Sequence, residues 1–323
     1  MTGEEELEQD GIEDLFPEEA GWCDSPVLEE GVRYAREGGK RIRPLLCLRM
    51  TSSLGGDERK ARVFARSIES MHNATLVQDD IQDGDEYRRG RESAWKRYGR
   101  DQAINIGEAL FADGYRHLVV NRDMFEEGKW EELIRVFNQA HRTVIDGQAM
   151  DIAMRESSDV GEEEYFDMVK KKTGSLLGAS LQAAVVISGQ QNLSEPVREI
   201  SEDLGPAFQI RDDVIDLVGE KGRKKEGNDI REGKRSLVVV KALERLENGE
   251  ELVKILDRKR DATTEEDVRK AIGMMESVDA IEDANREAEE LAENAKAELE
   301  KIGESYPVED VLEITDFLVE RSF

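Results

Sequence analysis

Two apolar segments of this chain run straight into the same acidic word, DDIQD at Asp79–Asp83 and DDVID at Asp212–Asp216. Each word sets carboxylates at i, i+1 and i+4 in a stretch that reads as helix. Helical residues four apart lie on one face, a turn above each other. Asp79 and Asp83 therefore project side by side, as do Asp212 and Asp216, and like charges at that spacing destabilise a bare helix. The arrangement calls for a cation. Mg2+ takes one or two protein carboxylates together with phosphate oxygens and water, so two facing pairs make a metal-lined mouth suited to a diphosphate. The bland alternative is chance: Asp and Glu make up 74 of the 323 residues, and most charge runs are solvated faces. Yet both words leave apolar helical segments, AFQIRDDVIDL being the clearer, and basic pairs lie close by at Arg88-Arg89 and Lys224-Lys225. Chance acidity explains none of that pairing.

The rest of the chain reads as helix too. It has only six prolines, and its apolar residues recur three and four apart. Ile281, Ala284, Ala288, Leu291, Ala295, Leu299 and Ile302 form an apolar stripe on a Glu/Lys-rich segment. Phe64, Ile68, Met71 and Thr75 lead into the first acidic word. No alternating strand pattern of any length occurs. Breaks fall at Gly55-Gly56, Gly84–Gly90, Glu126–Lys129, Ser157–Gly161, Gly189–Glu195 and Gly219–Gly233. The expected fold class is all-α, a single domain over residues 21–323 behind an acidic, flexible segment at 1–20. The last break, GEKGRKKEGNDIREG, is glycine-rich and basic within an acidic protein. It reads either as a solvated loop or as a mobile lid whose lysines close on phosphate. Its position directly after the second word favours the lid.

The formal charge of −28, from 46 basic and 74 acidic residues, argues against nucleic acid, whose phosphates would be repelled. Such acidity marks either an acidic partner-binding protein or adaptation to a very salty cytoplasm. Its spread along the whole chain favours the second, since at molar salt the Debye length falls to about 3 Å. Cys23 and Cys47 form neither a disulfide framework nor a metal-ligand spacing. The N-terminus, MTGEEELEQDGIEDLF, lacks the basic flank and apolar core of a signal peptide. The most apolar stretch, Leu176–Ile187, is too short to span a bilayer. A cytoplasmic protein with no integral membrane segment is expected.

Ahead of the first acidic word comes GGKRIRP, Gly38–Pro44. Its glycines let backbone approach a ligand closely, and its arginines offer a planar donor fork to phosphate. RRG follows at Arg88–Gly90 and KKTG at Lys171–Gly174. In order, GGKRIRP, HNATLVQDDIQDGDEYRRG, GQAMD, KKTG, FQIRDDVIDL and GNDIREGKRS resemble the signature of the trans-isoprenyl diphosphate synthases, the polyprenyl synthetases. The match runs from about Gly38 to Lys241, roughly two thirds of the chain, with order and spacing preserved. The resemblance implies the isoprenoid synthase fold, a single large helical bundle with a deep central cavity, assembled as a homodimer. It also implies an Mg2+-dependent prenyltransferase that joins isopentenyl diphosphate to an allylic diphosphate.

Carried over residue by residue, the resemblance makes Asp79, Asp80 and Asp83 one metal cluster and Asp212, Asp213 and Asp216 the other. Together they would serve up to three Mg2+ ions with the substrate diphosphate. Lys40, Arg43, His72 and Arg89 would hold the diphosphate of isopentenyl diphosphate; Arg88, Lys172, Lys225 and Lys234 would hold the allylic one. Thr173 and Gln209 would set oxygens near the allylic carbon where positive charge develops. Gln148 and Asp151 in GQAMD fit the family, in a role open between the site and packing. The chain departs from many relatives at Gln78, where they carry His, and at Gly107-Glu108, where they carry Gly-Asp; neither departure touches a metal ligand.

Product length should follow the depth of the cavity beneath the metals. Thr75 and Ala74, at −4 and −5 from Asp79, lie one turn deeper, about 5.4 Å of rise, and both are small. A bulky aromatic there stops the tail in related short-chain enzymes, so its absence argues for a product of twenty carbons or more. Met71, or Phe111 and Tyr115 from a neighbouring helix, would form a deeper floor. The resemblance and the inferred saline habitat, that of a halophilic archaeon, favour the twenty-carbon geranylgeranyl product. The alternatives are a farnesyl diphosphate synthase, a terpene cyclase of the same fold, a non-catalytic synthase subunit and a helical nucleotide pyrophosphatase. Cyclases usually replace the second acidic word and non-catalytic subunits tend to lose one; this chain keeps both.

Overall fold

The computed structural model describes Leu15 and residues 23–157, 160–219 and 227–319. Lys225, the segment at 1–20 apart from Leu15, and residues 220–226 of the basic stretch lie outside the described residues. In chain order the helices are α1 (Pro26–Arg36), α2 (Ile42–Ser53), α3 (Glu58–Asp83), α4 (Ala94–Tyr98), α5 (Arg100–Val120), α6 (Lys129–Arg155), α7 (Glu162–Val169) and α8 (Ser175–Ser188). They continue with α9 (Ser194–Val218), α10 (Asn228–Glu232), α11 (Leu237–Arg245), α12 (Gly249–Leu256), α13 (Glu265–Glu276), α14 (Ala280–Gly303) and α15 (Glu309–Val319). A two-residue hairpin, β1 (Tyr87–Arg88) against β2 (Arg91–Glu92), is the only sheet among the described residues. The fold is all-α. Among the described residues no helix is long and apolar enough to cross a membrane.

Local chemistry sets the helix ends. The Asp57 carboxylate caps α3 by accepting from Arg59 N at 3.0 Å, and Gly84, left-handed at φ 71°, ends it. Thr264 and Asp267 form a reciprocal capping box on α13. The final glycine-rich stretch is not all loop. Gly227 and Gly233, both at φ 70°, bracket the five-residue helix α10, since only glycine enters and leaves a helix in that conformation at no steric cost.

Within the span read as one domain, the described residues divide into two compact units. The first holds the described residues up to His141, with Ala179–Ser194 and Tyr306–Val311. Here α3 runs antiparallel along α5, Ala74 beside Gly107 and Ser67 beside Gly114. A Cβ at Gly114 would stand 3.0 Å from Ser67 O and 2.8 Å from the Phe137 ring, so this glycine sets how closely the pair packs. Phe64, Ile68 and Met71 are fully buried along α3, as the periodicity predicts.

The second unit holds Arg142–Gly178, Glu195–Ser305 and the described residues from Leu312. Its core is one apolar cluster that includes Tyr165, Val169, Ile210, Val214, Leu237, Leu252 and Ala284. The predicted stripe on α14 is buried at Ile281, Ala284, Ala288, Ala295, Leu299 and Ile302. Burying a Leu or Ile contributes about 1.5–3 kcal/mol, so this face, not helix propensity, holds α14 down.

Candidate active site

The first acidic word closes α3 and the second closes α9, one in each unit. Both helices therefore end on three carboxylates at the negative pole of the macrodipole, with no basic residue in the last turn. The words share a further pattern. Asp79 and Asp83 are half-buried and Asp80 is buried; Asp212 and Asp216 are half-buried and Asp213 is buried. In each word the middle carboxylate is taken by the protein. Arg88 Nε donates to Asp80 Oδ1 at 2.7 Å and its Nη2 lies at 2.6 Å. Burial still pushes Asp80 up to about 6 against the pull of Arg88. Asp213 accepts from Gln209 Nε2 at 2.8 Å and from the Tyr165 hydroxyl at 3.1 Å. Burial and the nearby Asp229 raise it well above the usual carboxylate range.

Among the described residues no group of three or more His, Cys, Asp or Glu side chains converges tightly enough to hold a metal alone. The residues nevertheless fit Mg2+. Hard oxygen donors stand in half-buried i, i+4 pairs at two helix C-termini, and Mg2+ ordinarily takes only one or two such carboxylates, leaving positions for phosphate oxygens and water. Asp79, Asp83 and Asp212 are the ligands this pattern favours. Asp216 also carries a structural duty, accepting from Asp229 N at 3.0 Å where α10 begins.

The basic half of the first unit is built from two motifs far apart in sequence. Arg89 and Gly90, the central residues of the hairpin, have φ 53° and 76°, the paired left-handed geometry of a type I′ turn. Arg89 Nη1 donates to Gly38 O at 2.8 Å and Glu37 O at 3.0 Å. Its guanidinium fills the space a side chain at Gly39 would need: a Cβ there would lie 2.5 Å from Nη2. Gly39 itself sits at φ 91°. The GGKRIRP loop and the RRG hairpin thus form one cradle, with Lys40 exposed on it and Arg41 left-handed at φ 53°. Arg43 Nη1 lies 3.1 Å from His72 Nε2. Arginine only donates, so Nε2 accepts and the ring proton sits on Nδ1. Burial, then Arg43, pushes His72 well below its ordinary value, so it serves as a neutral donor.

In the second unit, glycines let main chains touch. KKTG lies in a π-helical turn, Lys170–Gly174, that joins α7 to α8. A Cβ at Gly147 would lie 2.4 Å from Lys172 N, and one at Gly205 would lie 2.5 Å from Gly174 Cα. One turn beyond Gly147, Asp151 accepts from Lys172 Nζ at 2.7 Å. Burial opposes it, yet Lys172 and Arg155 hold the Asp151 carboxyl down at about 2. One turn beyond Gly205, Gln209 Oε1 accepts from Thr173 Oγ1 at 2.9 Å. The relay runs one way, Thr173 to Gln209 to Asp213, with Tyr165 closing it from the other side. Lys234 Nζ lies 2.7 Å from Asp229 and 2.8 Å from Glu232.

Thr75 shares the α3 face of His72 and Asp79, half-buried, with its hydroxyl donating to His72 O at 2.8 Å. Ala74 is fully buried beside Gly107 of α5, and Met71 is fully buried a turn deeper. Phe111 and Tyr115 are joined by a third ring. Phe111 stacks on His141 with centroids 4.4 Å apart, and the Tyr115 hydroxyl lies 3.1 Å from His141 Nδ1.

Sequence reasoning missed Tyr165, Asp229 and His141, and left Asp151 open between site and packing. None stands in an acidic or basic word. For Asp229 a signal existed, an acid in GNDIREGKRS beside the predicted Lys234.

Comparison with known proteins places this geometry in a lineage. The model of the polyprenyl synthetase family matches residues 25–275. A geranylgeranyl pyrophosphate synthase of Geoglobus acetivorans is 36% identical over 294 residues, covering 89% of this chain and 88% of that protein. A geranylfarnesyl diphosphate synthase of Aeropyrum pernix is 33% identical over 297 residues, covering 88% and 91%. The crystal structure of a geranylgeranyl pyrophosphate synthetase from Pyrococcus horikoshii superposes with a TM-score of 0.84 at 31% identity, over 99% of this chain and 95% of that one. A family match across most of the length, backed by relatives aligned nearly end to end, settles the lineage: the chain belongs to the polyprenyl synthetase family.

Proposed function

We propose that the protein condenses isopentenyl diphosphate head to tail with an allylic diphosphate, giving a trans-polyprenyl diphosphate of twenty carbons or more. The observation that carries this reading is the matched construction of the two acidic words, each with an accessible carboxylate pair and a middle carboxylate anchored by the protein. Mg2+, bound with the substrate diphosphate in up to three positions, supplies charge neutralisation to the leaving group. Asp79 and Asp83 in the first unit and Asp212 in the second would hold it, joined by Asp216 beside its bond to α10, while Asp80 and Asp213 fix the ends of the words. Arg88, Lys172 and Lys234 bind the allylic diphosphate, a role read also for Lys225. Lys40, Arg43, neutral His72 and Arg89 bind the second diphosphate in the cradle. The hydroxyl proton of Thr173 is committed to Gln209, so its lone pairs stay available to stabilise charge developing on the allylic carbon. Apolar walls exclude the water that would quench that charge.

The length assignment is supported by small residues at Ala74 and Thr75. The Phe111–His141–Tyr115 cluster serves as a deeper floor: Gly107 is level with Ala74 and Gly114 with Ser67, which sets Phe111 about one turn below Ala74. The names of the relatives support twenty- and twenty-five-carbon products. A homodimer is the expectation that the family resemblance carries. The acidity spread along the chain supports a halophile, and the sequence reading adds a cytoplasmic setting. The test incubates the protein with isopentenyl diphosphate, Mg2+ and each allylic primer in turn, followed by chromatography of the dephosphorylated products. Elongated products that vanish with a chelator are expected. Inorganic diphosphate released from nucleotides, or no product from any primer, would overturn the reading.

A further inference from the structure

The cradle rests on a carboxylate that belongs to no motif. Glu69, ten residues before Asp79 on α3, is 1% exposed. Its Oε1 receives the Arg41 guanidinium from one side and Asn73 Nδ2 at 3.1 Å from the other. The second Asn73 amide proton goes to Glu69 O at 2.7 Å, so the fully buried Asn73 can only turn its Oδ1 outward, where Arg89 Nη1 stands at 3.4 Å. Arg89 then grips the Gly38 and Glu37 carbonyls. Arg41 donates onward to Arg36 O, and Arg36 is itself paired with buried Asp113.

Two arginines in this network, Arg41 and Arg89, are held in left-handed backbone, a conformation that costs a non-glycine residue of order 1–3 kcal/mol and persists only where surroundings enforce it. Arg41 meets one oxygen of Glu69 directly, and Arg89, set by the hairpin turn, reaches the same oxygen through Asn73. We propose that Glu69 is the positioning residue of the diphosphate cradle, fixing the corner at Arg41 directly and the corner at Arg89 through Asn73. Lys40 and Arg43 flank the first corner in sequence, and the Gly38-Gly39 loop is clamped by the second. The charge environment agrees. Desolvation and the guanidiniums of Arg41, Arg88 and Arg91 pull Arg89 down to about 10, and Glu69 is the carboxylate that opposes them. The assignment rests on the reading that this cradle holds isopentenyl diphosphate.

Positioning and plain electrostatics differ in sign here. Removing a negative charge beneath an anion site should tighten diphosphate binding if charge alone matters. If Glu69 positions the cradle, the same change weakens it. The experiment compares wild type, Glu69→Gln and Asn73→Ala in steady-state kinetics with both substrates varied, alongside thermal melts. Glu69→Gln is expected to raise KM for isopentenyl diphosphate by about tenfold or more, the scale of a lost charge-assisted hydrogen bond. KM for the allylic substrate should move less than twofold or so, since its cations Arg88, Lys172 and Lys234 are held by other carboxylates, Asp80, Asp151 and Asp229. Asn73→Ala, which cuts only the Arg89 arm, should give a smaller rise of the same kind. Glu69→Asp should recover part of the loss. A KM for isopentenyl diphosphate that falls or stays level in Glu69→Gln overturns the proposal, as does a uniform loss of kcat with both KM values unchanged. If Glu69→Gln does not fold, an unmoved KM in Asn73→Ala overturns it alone. A wild type that makes no elongated product at all refutes the proposed function instead.

Discussion

Single carboxylates carry the sharpest consequences. Asp212 is the accessible acid at the start of the second word, and Asp79 holds that place in the first. Replacing either with Ala should lower turnover by orders of magnitude while leaving the fold intact, because removing one relieves repulsion in the metal-free protein. Retention of more than about a tenth of turnover, a difference of only ~1.4 kcal/mol, would remove that residue from the metal set. Asp113 should behave in the opposite way. It is fully buried, and it pairs with Arg36 and accepts from Ser70 at 3.1 Å and Arg116 Nε at 3.0 Å, with His117 at 2.9 Å. Burial pushes its pKa up, but His117, Arg36 and Arg116 outweigh that and hold it well below the ordinary 3.8. A depressed carboxyl contributes stability that is fully present above its unfolded pKa and lost as pH falls towards the folded value. Asp113→Asn should therefore cost about 2–4 kcal/mol near neutrality, where it takes the buried anion from half-buried Arg36 and Arg116. In urea unfolding, its gap from wild type should narrow as pH drops below 3.8. A constant gap would show that the charge is not what matters.

At the scale of elements, the contact of α9 with the π turn sets the Thr173–Gln209 bond. Gly205→Ala would force a Cβ to 2.5 Å from Gly174 Cα. Overpacking of this kind costs about 1–3 kcal/mol, and turnover should fall with it as Gln209 moves off Thr173. Gly273→Ala, on α13 with nothing within 4 Å, is the control and should stabilise by up to about 1 kcal/mol. Equal behaviour of the two variants in melts and turnover would refute the contact's role. The α3–α5 pair bears on product length. Thr75 lies on the face of Asp79, so Thr75→Phe should shorten the product with little loss of the first condensation. Ala74→Phe should both shorten it and destabilise, since Ala74 is sealed against α5. Product chromatography and melts separate the two, and an unshortened Thr75→Phe product would move the tail to another wall. The helices themselves were legible in sequence because their apolar stripes carry the period. The short helix α10 was hidden inside a glycine-rich stretch, and the π turn was not visible because it arises from glycines on α6 and α9 approaching from elsewhere in the chain. The motif residues were readable for the same reason motifs exist, as local words. Glu69 and Tyr165 were not, because each acts on a partner distant in sequence or on a network that local spacing does not reveal; Asn73 lies inside a quoted motif, but nothing local shows that it links Glu69 to Arg89.

For the molecule as a whole, the formal charge of −28 must be reconciled with a cradle of clustered guanidiniums. The long-range field of that acidity opposes the approach of any diphosphate, and salt screens it over about 8–10 Å at ordinary ionic strength. Raising KCl towards molar levels should therefore raise the melting temperature, as self-repulsion fades. A melting temperature that is flat or falls with KCl would remove the halophile inference and with it one support for the twenty-carbon product.

Along α6 and α9, each glycine that meets a neighbouring main chain lies four residues, about one helical turn, from a side chain of the site, Gly147 from Asp151 and Gly205 from Gln209. Reference point and working atom are then separated by a single turn of rigid backbone instead of a chain of rotamers. Positional error in such an arrangement does not accumulate through the core: loosening of distant side chains, by heat or by a cavity, leaves the spacing of Lys172, Thr173 and their partners unchanged until the helices themselves part. Loss of activity on warming should accordingly be abrupt and coincide with unfolding of the second unit, with no gradual decline before it.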